Sequence, residues 1–239
     1  TIDVTERTGG KIFYFIGNGN GITSELGKVR YGETTYQQFR EMLCDVNTEL
    51  LATPLLMSAR TEIANIASPT DDEKKIKLRR RVARFDIDND STKTNFAVTG
   101  IMISNVNQQG YIFGDATGTA PAIVSGNAKT IPFNTEPDHN TATLSQSVFY
   151  TYPTVIGKNR TNISLEGRFR GGDVRVYTMS TDTDFPIEAN KRYKITPKVI
   201  NINEVEFTFT IDPWVAADEE IETGPEENKI AYSKPTGVS

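Results

Sequence analysis

The chain is rich in side chains branched at Cβ and poor in leucine: 22 Ile, 15 Val and 30 Thr stand against 9 Leu in 239 residues. Branching at Cβ restricts χ1, which is mildly unfavourable in a helix and suits the pleated, half-buried surface of a sheet. An all-β fold is therefore expected. Seven of the nine leucines lie at or before Leu78, so the composition changes a third of the way along and points to two regions. With 37% hydrophobic and 24% charged residues the chain has the balance of a globular protein, which excludes collagen-like and mostly disordered readings. No run approaches the roughly 18 consecutive apolar residues of a membrane-spanning helix. Thr1-Ile2-Asp3-Val4 lacks a basic region followed by an apolar stretch.

Strand-length segments follow one another along the chain. Lys11 to Ile16 is a continuous apolar run closed by Gly17-Asn18-Gly19-Asn20-Gly21, residues that tolerate positive φ. One short helix is predicted over Thr34 to Cys44, where Tyr36, Phe39 and Leu43 share a face and Thr35 with Gln38 has capping-box spacing. Ser68 to Glu73 reads as a linker. Beyond it, strands are predicted over Phe96–Ser104, Tyr111–Phe113, Ser147–Tyr152, Thr161–Phe169, Asp173–Met179, Arg192–Ile200 and Glu204–Asp212. The last alternates most clearly, with Val205, Phe207, Phe209 and Ile211 on one face and Glu206, Thr208, Thr210 and Asp212 on the other. Seven or more such strands describe a two-layer antiparallel sandwich. Gly114 to Asn140, rich in Gly, Pro, Thr and Asn, reads as a long surface loop.

The formal net charge is −5, and Val215 to Ser239 alone holds six acids against two lysines, a balance of −4. An acidic tail on a nearly neutral body argues against nucleic-acid binding. The one basic cluster, Lys74 to Arg84, alternates apolar and charged positions and reads as one or two strands with a solvated basic face.

Catalytic and ligand motifs are weak. A single cysteine, Cys44, and a single histidine, His139, exclude an internal disulfide and most metal sites. The glycine run 17–21 is followed by no Gly-Lys-Ser/Thr, so a structural turn is the simpler reading. Asp86-Ile87-Asp88-Asn89-Asp90 resembles a calcium loop only superficially, since Ser91 and Ala97 stand where Gly and Glu are needed; alternation on a strand already puts these acids on a wet face. No Gly-x-Ser-x-Gly elbow accompanies His139. Neither an enzyme nor a cofactor-dependent protein is expected.

The ordered set of motifs resembles the fimbrillin-like subunits of the Bacteroidales type V pilus. The resemblance runs through Gly10 to Asn18, Tyr36-Gln37-Gln38-Phe39, Pro54-Leu55-Leu56-Met57-Ser58 and Leu78-Arg79-Arg80-Arg81-Val82-Ala83-Arg84-Phe85. It continues through Phe149-Tyr150, Ala189-Asn190-Lys191-Arg192-Tyr193 and Asp212-Pro213-Trp214. Family precursors begin with a lipoprotein signal and several strands ahead of the first match here, and a usual Asn-His pair is replaced by Asn190-Lys191-Arg192. The resemblance implies two transthyretin-like, Greek-key β-sandwich domains: a partial N-terminal one over 1–73 and a C-terminal one over 74–214, followed by an acidic tail over 215–239. It implies a subunit or accessory adhesin of a cell-surface fimbrium, exported as a lipoprotein, trimmed after a basic residue and polymerised at the outer membrane by strand exchange with other pilus subunits. Membrane attachment would come only through a lipid anchor that this chain does not carry.

The candidate donor strand is Lys229, Ile230, Ala231, Tyr232 and Ser233, with Ile230 and Tyr232 on one face and the preceding acids keeping the linker extended; the competing reading of this segment is a disordered acidic tail. The alternative is a surface glycan-binding module, with Tyr111, Phe133, Tyr150 and Tyr152 as a stacking platform.

Overall fold

The computed structural model describes residues 9–19, 22–47, 49–63, 76–114, 129–132, 143–157, 160–179, 184–201, 203–214 and 226–233. The fold is all-β, as the Ile, Val and Thr content predicts. Two compact units are interleaved along the chain. The first comprises Thr1–Asp45, Pro54–Arg81 and Tyr111–Gly118, and the second Val46–Thr53, Val82–Gly110 and Thr119–Ser239. The predicted linker 68–73 and His139 lie outside the described residues.

In the first unit, β1 (Lys11–Gly17), two one-turn helices α1 (Thr23–Leu26) and α2 (Tyr36–Arg40), β2 (Met57–Ile63) and the two-residue β3 (Arg79–Arg80) form a sheet in the order β1-β2-β3. The β1–β2 ladder is antiparallel from Lys11↔Ile63 to Gly17↔Met57. In the described part of the glycine run, the chain leaves β1 at Asn18, which sits at φ 57° and whose Nδ2 donates to Leu55 O at 2.9 Å. The capping box is present, Gln38 N donating to Thr35 Oγ1 at 3.2 Å and Thr35 N to Gln38 Oε1 at 2.9 Å. The helix is shorter than the predicted Thr34 to Cys44. At Leu43 the backbone bridges to Tyr111, and Met42 O accepts from Ile112 N at 2.9 Å. A helix of one or two turns is marginal by itself, so tertiary pairing ends it early.

In the second unit, β4 (Ala83–Asn89), α3 (Ser91–Thr94), β5 (Phe96–Ser104), β6 (Lys129–Pro132), β7 (Thr143–Thr151), β8 (Thr154–Ile156), β9 (Asn162–Phe169), β10 (Val174–Thr178), β11 (Phe185–Ile187), β12 (Lys191–Asn201), β13 (Glu204–Pro213) and β14 (Glu226–Ser233) build two main sheets. Their orders are β10-β9-β5-β6 and β14-β13-β12-β4-β7, with β11-β8 as a small ribbon. Between them lies one core: Phe85, Ile87, Phe96, Val98, Ile101, Ile103, Phe149, Ile163, Leu165, Tyr177, Tyr193, Ile195, Val205, Phe207 and Phe209 are all buried. Along β12 and β13 these residues alternate, as period-2 patterning requires, while on β5 a register shift between Val98 and Gly100 separates Phe96 and Val98 from Ile101 and Ile103. The buried Tyr193 hydroxyl accepts from Glu188 N at 2.8 Å, and desolvation pushes its pKa up to about 12.

Four sequence expectations need correction. The pair β4–β12 is parallel, so the sandwich is not purely antiparallel. Tyr111–Phe113 is not a strand: Tyr111 makes an isolated bridge while Ile112 and Phe113 bury their side chains. Arg81 is buried rather than on a wet basic face, and so is Asp86, at 1% exposure, because Arg84 grips it with Nε–Oδ1 at 2.7 Å and Nη2–Oδ2 at 3.0 Å. Asp212, read onto the solvated face of β13, is likewise buried against Arg192. Alternation fixes which way a side chain points but not whether a partner covers it.

Candidate functional site

The first unit's sheet has two unlike faces. On one, Tyr14, Ile16, Ser58 and Arg60 are neighbours by register. Phe39 of α2 and Phe113 cover this face, their rings 5.1 and 4.7 Å from that of Tyr14, and Ser58 Oγ donates to Ile112 O at 2.7 Å. On the other face stand Phe13, Phe15, Met57, Ala59, Thr61 and Ile63. All six are only half-buried. Phe13 and Phe15 stack on each other at 6.5 Å, and Leu78 lies over Gly17 while remaining 40% exposed. Sheets normally bury such a face on a second layer.

The edge of this sheet is also open. β3 pairs with β2 only at Met57↔Arg80 and Ser58↔Arg79, backed by Arg81 N donating to Leu56 O at 2.9 Å. Continuing that register would set Leu78, Lys77 and Ile76 opposite Ala59, Arg60 and Thr61. Instead the two segments diverge and leave a groove of about 410 Å³ between them. Among the described residues no strand pairs with β2 from Ala59 to Ile63 on this side, or with the outer edge of β1. Unpaired N–H and C=O groups along such an edge are a template for an added strand.

The groove is basic. Arg60, Lys77, Arg79 and Arg81 line it. Side-chain hydrogen bonds to Tyr36, then to Glu62 and Tyr14, hold the Arg60 guanidinium more firmly ionised than usual. Arg81 Nε donates to Arg79 O at 3.3 Å, and the guanidinium lies where a side chain at Gly114 would begin, 1.6 Å from an ideal Cβ there. Sequence reading missed this site. A signal was present in the alternation of Lys77, Arg79 and Arg81 along the sequence, although only Arg79 of the three lies in β3.

The candidate donor segment forms a strand. Glu226–Ser233 is β14, the edge of the five-stranded sheet, antiparallel to β13 of the same chain from Ile211↔Glu226 to Val205↔Ser233. The register shifts between Thr208 and Phe209, which are matched with Ile230 and Asn228, so Lys229 is an extra residue on the β14 side. Among the described residues it is held by one ladder, that to β13.

The four proposed platform aromatics are differently placed. Tyr111 belongs to the first unit, whereas Tyr150 and Tyr152 belong to the second. Phe133 lies outside the described residues. Tyr152 is 7% exposed and packs against Gly110, where a Cβ would meet its ring at 2.4 Å. Half-buried Tyr150 stacks at 5.7 Å and 5° on Trp214, with Arg84 over the indole at 5.8 Å. Cys44, the single cysteine of the sequence, is buried and in no disulfide. Among the described residues no three His, Cys, Asp or Glu side chains gather as a metal site.

A mostly β fold with these sheets recurs in solved fimbrial proteins. The tip fimbrial protein Mfa3 from Porphyromonas gingivalis, with C-terminal truncation, superposes with a TM-score of 0.57 at 14% identity, covering 85% of this chain and 80% of that one. A fimbrial assembly protein from Parabacteroides distasonis gives 0.52 at 12% identity, covering 93% and 73%. No curated protein matches. The family model of fimbrillin-A associated anchor proteins Mfa1 and Mfa2 matches residues 13–220, and the chain belongs to that family. It is thus a fimbrial subunit or accessory protein.

Proposed function

We propose that this chain is a non-enzymatic structural subunit or accessory adhesin of a cell-surface fimbrium, and that it assembles by strand exchange. The tail strand of one copy, or of a related subunit, adds to the open edge of β2 in the next and covers the half-exposed face carrying Phe13 and Phe15. The observation that carries this reading is the first-unit sheet: among the described residues, a half-buried apolar face stands beside an edge of β2 that no strand pairs from Ala59 to Ile63. Added strands satisfy both deficits at once, through main-chain hydrogen bonds along the edge and alternate side chains in the trough. On the donor side, β14 is an edge strand that among the described residues pairs with β13 alone, so its release breaks that one ladder. Family membership supports a place in a cell-surface fimbrium; export as a lipoprotein that is trimmed after a basic residue is part of the proposal.

A peptide spanning Glu219 to Ser239 tests this. At about a hundredfold excess over its Kd, a ligand specific to the folded state adds about 2.7 kcal/mol. The expected result is a rise in Tm of about 5 °C or more, with a peptide–protein complex in native mass spectra. An unchanged Tm and no complex at saturating peptide contradict the proposal.

A further inference from the structure

Charge is divided unevenly between groove and tail. Arg60, Lys77, Arg79 and Arg81 converge on the fork between β2 and the segment leading into β3. The sequence places Asp218, Glu219, Glu220, Glu222, Glu226 and Glu227 at and just ahead of the strand proposed as donor. The tail carries −4 of the chain's net −5, so the remainder is close to neutral and the basic lining is a local feature of the fork rather than of the whole surface. Resting on the strand-exchange reading, we propose that the basic fork is an electrostatic docking site for the acidic run of a second copy of this chain, which delivers the strand that follows it to the edge of β2.

Exposed ion pairs contribute little affinity individually. Opposed charge clusters act mainly on the rate of encounter, which they raise by about 10- to 1000-fold at low salt. The order of residues suits that role. Glu226 and Glu227 stand three to four residues ahead of Ile230, with Asp218 to Glu222 further upstream, so chain captured at the fork brings Ile230 and Tyr232 near the edge they must join. Docking also precedes hydrogen bonding, because charge attraction acts over about 10 Å at 0.1 M salt whereas a β-ladder forms only at contact. In sequence the chain carries two acidic runs of the same charge chemistry, Asp71-Asp72-Glu73 shortly before Lys77 and its own tail, and these are the competitors the test must separate from a second copy.

The test follows association of the full chain with two fluorescent peptides spanning 218–233 by stopped flow. One has the native sequence; in the other, Asp218→Asn, Glu219→Gln, Glu220→Gln and Glu222→Gln remove four charges. The native peptide is expected to associate at least about tenfold faster than the neutralised one at about 20 mM salt, with the difference vanishing at about 0.5 M. The double variant Lys77→Glu/Arg79→Glu alters exposed positions. It is expected to slow the native peptide to the rate of the neutralised one while leaving the latter unchanged. Equal rates for the two peptides, or a native rate insensitive to the double variant, overturn electrostatic docking while strand addition stands. Such equal rates are also what permanent occupation of the fork by the chain's own acids would produce. If neither peptide binds, strand exchange itself fails and the docking proposal with it.

Discussion

Replacing Arg84 with Ala is expected to destabilise the second unit by about 3–5 kcal/mol, the range seen when one partner of a buried ion pair is removed. The reason is Asp86. Its carboxylate is 1% exposed and receives a two-pronged grip from the Arg84 guanidinium, at 2.7 and 3.0 Å. Removing the arginine takes away both of these hydrogen bonds and their charge from a desolvated carboxylate, and it removes the cation over Trp214 as well. The asymmetry of the pair gives a second readout. Asp86→Asn keeps the shape and leaves the charge on the more exposed Arg84, 14% exposed at its side chain, so a smaller loss is expected. The double change Arg84→Leu/Asp86→Leu removes both charges and is expected to recover much of the loss of Arg84→Ala. Urea denaturation of the three variants checks this; equal losses in all three contradict it.

The second large effect lies in the core. Gly167, on β9, pairs with Val98 on one side and Arg175 on the other. A Cβ at this position would stand 2.2 Å from Phe96 Cζ and 2.8 Å from Ala97 O. Phe96 is fully buried and packs edge-on against Tyr177 at 5.4 Å, so its ring has nowhere to retreat. Overpacking of this kind costs about 1–3 kcal/mol and sometimes more. Because one of the two clashes is with backbone, Gly167→Ala is expected at about 3 kcal/mol or above. Phe96→Leu introduced beside it should relieve the ring clash and leave the clash with the carbonyl. The two changes together are therefore expected to lose less than the sum of their separate losses. Strict additivity in a double-mutant cycle contradicts this packing account.

The sheet chemistry was legible in the sequence because it is local. Strands β5, β9, β10, β12 and β13 fall within a residue or two of their predicted spans, and on β13 Val205, Phe207 and Phe209 are buried as alternation requires. Short strands carry too few residues for a period to show, which is why β8 and β11, three residues each, were not found. The Gly114–Asn140 loop hides β6, whose Lys129–Pro132 becomes a strand only by pairing with Ile103 to Gly100. The interleaving of the two units was illegible for the same reason. Nothing local in Tyr111–Gly114 indicates that Leu43 and Ser58 are its neighbours.

The candidate site was half legible. The tail strand could be read from Ile230 and Tyr232 at alternate positions, whereas the groove arises from a ladder that stops after two pairs, an outcome of tertiary geometry. The charged residues show the same division. Lys77 and Arg79 are exposed as the alternating pattern suggests, while Arg81 and Asp86 are buried through partners that alternation does not reveal.

Residue-specific cross-linking between copies tests strand exchange most directly. A photoreactive amino acid at Tyr232, in otherwise full-length chain carrying a mass label, is mixed with unlabelled chain under assembly conditions. The account predicts cross-links from labelled Tyr232 to Ala59–Ile63 or to Phe13 and Phe15 of unlabelled copies, increasing as polymer forms. Polymer whose cross-links from this position reach only Glu206 and its neighbours on β13 of the same copy, the partners seen in the monomer, would contradict it.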